Sequence, residues 1–284
     1  MLAARPRQLD LAHIFGTRLV AWYDASRPRA GNRTTGWSTT VADGSTLELW
    51  QSLAISSKTI GPRDLVADYL AGNSPTWRER GLYGKPSVRF DGDRDHMVDY
   101  TNAAILSGVV AATAVTVWST NTATLDGYIW SIPNNVAGTN GFDLRTTTAA
   151  SNKQVATLVR SNTPAASDLA IGASSDGSAA YNDGLPHHHD VIIEFGKSSN
   201  EQVAYGTFSG GNAASVSGAS ISTNGNALTV GAFSQSLRAS TGFNGDLHEL
   251  MLFDVALSYG QLRMIRRYTQ AKWGARLPTY ADPY

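Results

Sequence analysis

The chain has 284 residues, 23 basic and 23 acidic side chains, and no cysteine. The absence of cysteine excludes disulfides, thiolate zinc sites and a cysteine nucleophile. The balanced charge lacks the basic excess of a nonspecific nucleic-acid binder, so we expect no nucleic-acid partner. No stretch approaches the ~20 apolar residues of a membrane span, and the opening residues lack an apolar signal-peptide core. We therefore expect no membrane partner and no classical export signal.

Short β-branched and aromatic runs recur between clusters of Gly, Asn, Asp and Ser, which is typical of an all-β protein. The first element is a short helix or arm over residues 7–15. The apolar patterns then predict strands at 18–23, 47–54, 86–91, 108–119, 127–132, 141–145, 154–160, 169–174, 190–195, 201–208, 227–233 and 247–253. The strand tryptophans Trp22, Trp50 and Trp118 are expected to lie in the core.

Two further helices are predicted. Residues 62–70 favour a small one, because Pro62 suits a first helical turn. The other lies near the end of the chain, where Ser258 and Gln261 have the spacing of a capping box and Gly274 is placed to terminate the helix. Its apolar positions fall near one face, which we expect to pack on the sheets: Leu262, Ile265, Tyr268, Thr269 and Trp273.

Four stretches together resemble the concanavalin A-like lectin/glucanase superfamily, in its laminin G-like branch from bacteriophages and bacteria. They are LVAWYDAS at 19–26, LELWQS at 47–52, KPSVRFDGDRDHMV at 85–98 and FNGDLHELMLFDVALSYGQLRMIRRYTQAKWG at 243–274. The resemblance implies an all-β, concanavalin A-like jelly-roll β-sandwich with a short N-terminal arm, residues 1–16, and a C-terminal helix. Residues 17–284 would form a single domain. Because this fold hosts lectins, hydrolases, adhesion modules and virion proteins, it does not select a function.

Hydrolysis of a glycosidic bond needs two carboxylates roughly 5–9 Å apart. The resemblance implies that hydrolases of this fold carry them as Glu-x-Asp-x-x-Glu or Glu-x-Asp-x-Glu on a central strand, and the chain has no such motif. Glu249 and Asp254 have an odd offset that puts them on opposite faces of a strand, and Glu194 stands alone. We therefore predict no catalytic residue and expect that the chain is not an enzyme.

An acidic run at Asp91, Asp93, Asp95 and Asp99 has the spacing of oxygen ligands. It lacks the glycine and the final glutamate of an EF-hand. Two interpretations are open: a looser calcium site formed by Asp91, Asp93 and Asp95, or a solvated turn. No other cofactor is expected.

His187 and His189 share one face of a predicted strand, so their imidazoles could meet one metal ion. The family resemblance implies the other interpretation, in which histidine at this place is structural.

Three aromatic residues differ from the strand tryptophans because they lie in polar loops rich in Gly, Ser and Asn. They are Trp37, Trp77 and Tyr181, in the loops 29–46, 72–84 and 161–186. Aromatic faces on loops can stack on sugar rings, and Asn182 and Asp183 offer hydrogen bonds to hydroxyl groups. We predict that these five residues bind a carbohydrate or a partner, because loops this long are uncommon unless functional. The alternative is that the aromatics pin the loops to the sandwich.

The implied fold is of an extracellular type, the chain lacks an export signal, and its opening and closing motifs resemble phage and bacterial versions. These observations predict a non-catalytic bacteriophage virion structural protein, as a head decoration or fibre protein or a tail-associated one. Its expected location is the virion, assembled in the host cytoplasm. Its expected partners are other virion proteins, further copies of the chain and a host-surface glycan. The alternatives are a carbohydrate-binding module of a bacterial surface protein and a polysaccharide hydrolase.

Overall fold

A computed structural model describes part of the chain in detail. The described residues are 10–27, 30–32, 36–38, 41–54, 64–67, 74–99, 105–106, 108–122, 127–132, 141–147, 154–160, 168–171, 182–194, 204–206, 221, 227–232 and 242–277. Strands dominate these residues, and their helices lie near the two ends of the described chain.

The helices are α1 (Leu11–Phe15), which a 3₁₀ turn at Gly16–Arg18 follows, and α2 (Tyr259–Trp273). The strands are β1 (Leu19–Asp24), β2 (Ala30–Asn32), β3 (Gly36–Ser38), β4 (Leu49–Trp50), β5 (Leu65–Ala67), β6 (Thr76–Arg78), β7 (Ser87–Asp91), β8 (Met97–Asp99), β9 (Ala111–Ser119), β10 (Gly127–Ile132), β11 (Gly141–Thr147), β12 (Gln154–Arg160), β13 (Asp168–Ile171), β14 (His187–Glu194), β15 (Ala204–Gly206), β16 (Thr229–Val230) and β17 (Asn244–Phe253).

These strands form two antiparallel sheets. The seven-stranded sheet has the order β15-β14-β9-β17-β7-β6, and β1 also pairs with β17. The ten-stranded sheet has the order β13-β12-β11-β10-β16-β8-β5-β4-β2-β3. Strands distant in the chain are therefore neighbours in space, and the C-terminal strand β17 lies at the centre of the first sheet.

The two sheets face each other across one apolar core. The seven-stranded sheet contributes Val117 and Trp118 to this core, and the ten-stranded sheet contributes Trp130 and Phe142. The indole of Trp130 donates a hydrogen bond of 2.8 Å to the Thr116 hydroxyl on the opposite sheet. This packing confirms the predicted all-β sandwich, and the strand tryptophans expected in the core are buried: Trp22, Trp50 and Trp118.

A second apolar core covers the outer face of the seven-stranded sheet. Its members come from α1, α2 and the central strands: Leu11, Ala12, Phe15, Leu19, Trp22, Val115, Ile192, Met251, Phe253, Leu257, Leu262 and Ile265. The central strands of this sheet are thus apolar on both faces, which explains the continuous apolar run at residues 250–253 of β17.

The C-terminal helix is confirmed in detail. Ser258 caps it, with its hydroxyl accepting from the Gln261 backbone N–H and the Gln261 side chain accepting from the Ser258 N–H. Gly274 ends it at φ 67°, a left-handed conformation that favours glycine. Four residues face the sheet and are buried: Leu262, Ile265, Thr269 and Trp273.

Three local predictions are wrong. Residues 65–67 are the strand β5 rather than part of a helix, because Leu65 and Ala67 alternate into the core while β5 pairs with β4 and β8. Trp37 and Trp77 lie on the short strands β3 and β6 rather than in loops. The polar residues around these strands favour turns, and cross-strand pairing outweighs that local preference.

Candidate functional site

The buried polar cluster around Glu249 is the densest in the described part of the chain. Glu249 Oε1 accepts hydrogen bonds from the Trp22 indole at 2.7 Å, the Tyr268 hydroxyl at 2.9 Å and the Lys272 ammonium at 3.2 Å. Its Oε2 accepts from the Trp273 indole at 2.6 Å. Burial raises the pKa of the Glu249 carboxyl, and the Lys272 charge opposes that rise.

This cluster contains a pair of carboxylates that sequence reasoning missed. Asp24 and Glu249 are directly opposite in the β1–β17 register, and the Lys272 ammonium contacts both, at 2.7 Å and 3.2 Å. Both acids are fully buried beneath α2, so a substrate cannot reach them in this conformation. The arrangement holds the helix on the sheet, because each charge is paired and hydrogen-bonded.

A second buried cluster fixes the middle of the same helix. Asp190 on β14 accepts two hydrogen bonds from Arg266, at 2.6 Å and 3.0 Å, and faces His188 at 2.9 Å. The other ring nitrogen of His188 lies 2.8 Å from the Thr269 hydroxyl. Burial alone would raise the pKa of Asp190, but the hydrogen bonds from His188 and Arg266 outweigh it and hold the pKa at about 2.

The two remaining histidines of β14 contact a tryptophan. His187 and His189 lie on either side of Trp118, with ring centroids 5.8 Å and 5.9 Å from its indole, and the indole N–H donates to His189 Nδ1 at 3.1 Å. Within the described residues, no group of three or more histidine, aspartate or glutamate side chains is arranged to hold a metal ion. His189 also lines a narrow crevice between the sheets that has no room for a water-sized molecule, so it is not a ligand pocket.

The acidic run forms a tight turn between β7 and β8. Asp91 Oδ1 accepts from the Asp93 N–H at 2.9 Å, and Asp95 Oδ2 accepts from the Asp91 N–H at 3.0 Å. Burial, together with the charges of Asp91 and Asp93, raises the pKa of Asp95 to about 6. These carboxylates bind the backbone of their own turn, and a calcium site here stays a prediction.

An exposed cluster lies at one end of the seven-stranded sheet, around Asp183. Asp183 Oδ2 accepts from Arg276 Nη1 at 2.7 Å, and Oδ1 accepts from the Leu185 N–H at 2.8 Å and lies 3.0 Å from His187 Nε2. The Arg276 side chain is 60 % exposed and that of Asp183 is 22 % exposed. Asn182 precedes Asp183 on the same turn. This carboxylate and guanidinium are held in place and reach solvent.

The backbone explains why Arg276 is well placed. Its N–H donates to the Pro186 carbonyl at 2.8 Å, and its carbonyl accepts from the His188 N–H at 3.1 Å. The segment after α2 therefore adds a short parallel bridge to the start of β14. Because this bridge is part of the sheet, the guanidinium projects from a rigid element.

A tyrosine from a third segment completes the cluster. Tyr83 is 42 % exposed at the tip of the turn between β6 and β7. The turn closes with a Gly84 N–H to Gly81 carbonyl bond of 2.8 Å, and the Leu82 N–H donates to the buried Asp246 carboxylate at 2.6 Å. The ring lies against Gly274, where an added methyl group would stand only 3.3 Å from Tyr83 Cε1.

We call Tyr83, Arg276, Asp183 and Asn182, which come from three neighbouring chain segments, the loop-end cluster. Gly274 lies against Tyr83 and is two residues from Arg276, so it joins the two halves of the cluster. An exposed aromatic ring beside a fixed set of hydrogen-bond donors and acceptors is suited to binding a polar ligand with a flat apolar face.

The predicted binding residues have different outcomes. Asn182 and Asp183 belong to the loop-end cluster. Trp77 is 8 % exposed and donates to the Ala25 carbonyl at 3.1 Å, so its indole is a core group and is not available for stacking. Tyr181 and the side chain of Trp37 lie outside the described residues.

Sequence reasoning missed Tyr83 and Arg276. Tyr83 lies in the predicted loop 72–84, between Gly81 and Gly84. An aromatic residue within such a turn pattern was the sequence feature that could have marked it as a binding residue. Nothing in the sequence near Arg276 indicates that it meets Asp183.

No family model matches the chain, and no curated protein is detectably similar to it in sequence. Solved structures do match. The Trypanosoma rangeli sialidase has a TM-score of 0.51 and 12 % identity, over 91 % of this chain and 33 % of the sialidase. Domain 4 of an extracellular arabinanase from Geobacillus stearothermophilus, in complex with arabinotriose, has a TM-score of 0.48 and 10 % identity, over 87 % of this chain and 98 % of the domain.

An arabinofuranosidase complexed with arabinofuranosyl-α-1,2-xylobiose has a TM-score of 0.47 and 12 % identity, over 93 % of this chain and 64 % of that protein. The chain thus spans less than two thirds of this enzyme and about a third of the sialidase. The class defined here is a β-sandwich similar in fold to carbohydrate-active proteins. Membership of the concanavalin A-like superfamily stays a prediction.

The expectation that the chain is not an enzyme is contradicted. A solved structure similar in fold, with a TM-score of 0.51, is a sialidase. The cross-strand pair of Asp24 and Glu249 has no counterpart in a single-strand motif, and both acids are buried beneath α2. None of the helices in the described ranges is long and apolar enough to cross a membrane.

Proposed function

We propose that this chain recognises carbohydrate and that the loop-end cluster is its binding surface. The observation that carries the proposal is that the exposed Tyr83 ring packs on Gly274, two residues before Arg276, which is exposed and paired with Asp183. A sugar ring has an apolar C–H face and a rim of hydroxyl groups. The tyrosine ring suits the face, and the guanidinium, carboxylate and Asn182 amide suit the rim.

The rigidity of the cluster supports this role. Asp246 fixes the turn that holds Tyr83, and the bridge to β14 fixes Arg276, so little conformational entropy is lost when a ligand binds. The Asp183–Arg276 pair is exposed, and a pair of this kind contributes only about 0–1 kcal/mol to stability. Stability alone therefore gives a weak reason for its fixed geometry.

The similar solved structures support the same class of ligand. One is a sialidase, one is an arabinanase domain holding arabinotriose, and one is an arabinofuranosidase holding a substituted xylobiose. At these identities the likeness is one of fold, and the ligand class for this chain is our proposal.

A glycan array with purified wild-type protein, followed by titration of the best ligand, tests the proposal. Tyr83→Ala and Arg276→Ala should each weaken binding by about tenfold, or about 1.4 kcal/mol. Arg94→Ala is the matched control, because Arg94 is an exposed arginine in the turn between β7 and β8, outside the cluster. Unchanged binding in both cluster variants would reject this surface as the binding site. In the same samples, the release of reducing ends from the bound oligosaccharides measures hydrolysis.

A place in a bacteriophage virion, among other virion proteins or copies of this chain, stays a separate proposal. Its support is the sequence resemblance to phage proteins of this fold. A mass-spectrometric survey of purified particles tests it, and particles that never contain the chain would reject it.

A further inference from the structure

Resting on the proposed function, we propose that the loop-end cluster selects neutral sugars over sugars that carry a carboxylate or a sulfate. The observation behind it is that the one guanidinium of the cluster already has a fixed carboxylate partner. Arg276 Nη1 lies 2.7 Å from Asp183 Oδ2. The two charges cancel at the place where a ligand would bind.

Asp183 cannot easily give up this position to an anionic ligand. Its Oδ1 accepts from the Leu185 N–H at 2.8 Å and lies 3.0 Å from His187 Nε2, so the carboxylate is held by its own turn and by β14. A carboxylate of a ligand would compete with one that is tethered beside the guanidinium at high effective concentration. It would also approach a fixed negative charge.

His187 adds no positive charge that would alter this balance near neutral pH. Burial lowers the pKa of His187, and this effect is larger than the opposing effect of the Asp183 charge. The imidazole is therefore neutral at pH 7 and serves as a hydrogen-bonding group.

The other charges on the Tyr83 turn are weak attractors. Glu79 and Arg80 are exposed, Lys85 is partly exposed, and their charges are screened by salt. The features of the cluster left to a ligand are the Tyr83 ring, the guanidinium nitrogens of Arg276 other than Nη1, and the Asn182 amide. Hydroxyl groups, which both donate and accept, match this set better than anions do.

Calorimetric titrations with arabinotriose and sialyllactose, each at about 0.05 M and 0.5 M salt, test the inference. We expect arabinotriose to bind at least tenfold more tightly, with little change between the two salt concentrations, because screening acts on charged ligands. Equal or tighter binding of sialyllactose at the higher salt would overturn the selectivity and leave the proposed function standing. Failure to bind any glycan on the array would refute both.

Asp183→Asn sharpens the test. Asparagine keeps an oxygen for the Leu185 N–H but removes the charge that neutralises Arg276, so this variant should gain about tenfold in affinity for sialyllactose. No gain in a variant that melts like the wild type would contradict the inference. If the variant does not fold, the comparison of the two sugars with wild-type protein decides it.

Discussion

The buried cluster around Glu249 and the exposed cluster around Asp183 are built from the same three kinds of group. Each has a carboxylate, a cation and at least one aromatic side chain. Glu249 is fully buried, with hydrogen bonds to both of its oxygens. The Arg276 side chain is 60 % exposed and Tyr83 is 42 % exposed.

The difference between the two clusters shows that access, and not residue type, separates a structural lock from a binding surface. A buried charge must be paired within the fold, so the groups around Glu249 are committed to holding α2. Exposed groups are hydrated by solvent, so leaving them without a partner in the fold costs little free energy and they can bind a ligand. The predictions below test this contrast, beginning with the largest expected effect.

Glu249→Ala should lower the free energy of unfolding by about 3–5 kcal/mol, because it leaves two indole N–H groups buried without their acceptor and removes one of the two acids that pair with Lys272. Urea unfolding followed by fluorescence measures the loss. Glu79→Ala, at an exposed glutamate, is the control and should change stability by less than about 0.5 kcal/mol. A loss below about 1 kcal/mol at Glu249 would show that α2 does not depend on the cluster.

Leu262→Ala should cost about 2–4 kcal/mol, because Leu262 is 5 % exposed in the second apolar core. The same urea unfolding measures it. Ile14→Ala provides the comparison on an exposed apolar residue, since Ile14 is 50 % exposed and its loss should be small. Similar losses at both positions would mean that α2 does not seal the sheet.

Asp95 is a buried acid of a different kind from Glu249, because acidic side chains lie beside it. Its pKa is about 6 in the folded chain against an ordinary value of 3.8, so the folded state holds the proton more tightly. The stability that this proton provides is present below about pH 4 and is lost as the pH rises through 6. Asp95→Asn should therefore raise the unfolding free energy at pH 7 by on the order of 1 kcal/mol, and not at pH 3.5. A gain in stability of equal size at both pH values would contradict the raised pKa of Asp95.

Tyr83→Ala should have the smallest effect on stability, below about 0.5 kcal/mol, because the turn is held by its backbone bonds and by Asp246 rather than by the ring. Thermal unfolding beside the wild type measures it. A loss above about 2 kcal/mol would make the tyrosine a structural group like Trp273 and remove it from the binding surface.

Local patterns in the sequence were sufficient for much of the fold. The capping box at Ser258 and Gln261 and the terminating Gly274 located α2, because these interactions lie within a few residues of one another. The apolar runs located most of the strands, including 127–132 and 154–160 with their observed bounds. The small helix predicted at 62–70 failed because its support, Pro62 at the first turn and Gly72 at the end, was purely local.

The sites could not be predicted in the same way, because their members are distant in the chain. Trp22 and Glu249 are 227 positions apart, and Asp183 and Arg276 are 93 apart. Only the β1–β17 register and the bridge at the start of β14 bring these residues together. Asp183 was predicted as a binding residue from its place in a loop. Arg276 and Tyr83, which make its surroundings a candidate site, could be identified only once the strand topology was known.

The most direct test of the central claim is hydrogen exchange of wild-type protein with and without its best oligosaccharide. We predict that protection on binding is concentrated in the turn around Tyr83, in residues 182–187 and in the segment after Gly274, with α2 unchanged. Protection confined to strand edges, with all three of these segments unchanged, would contradict the account and place the binding surface elsewhere.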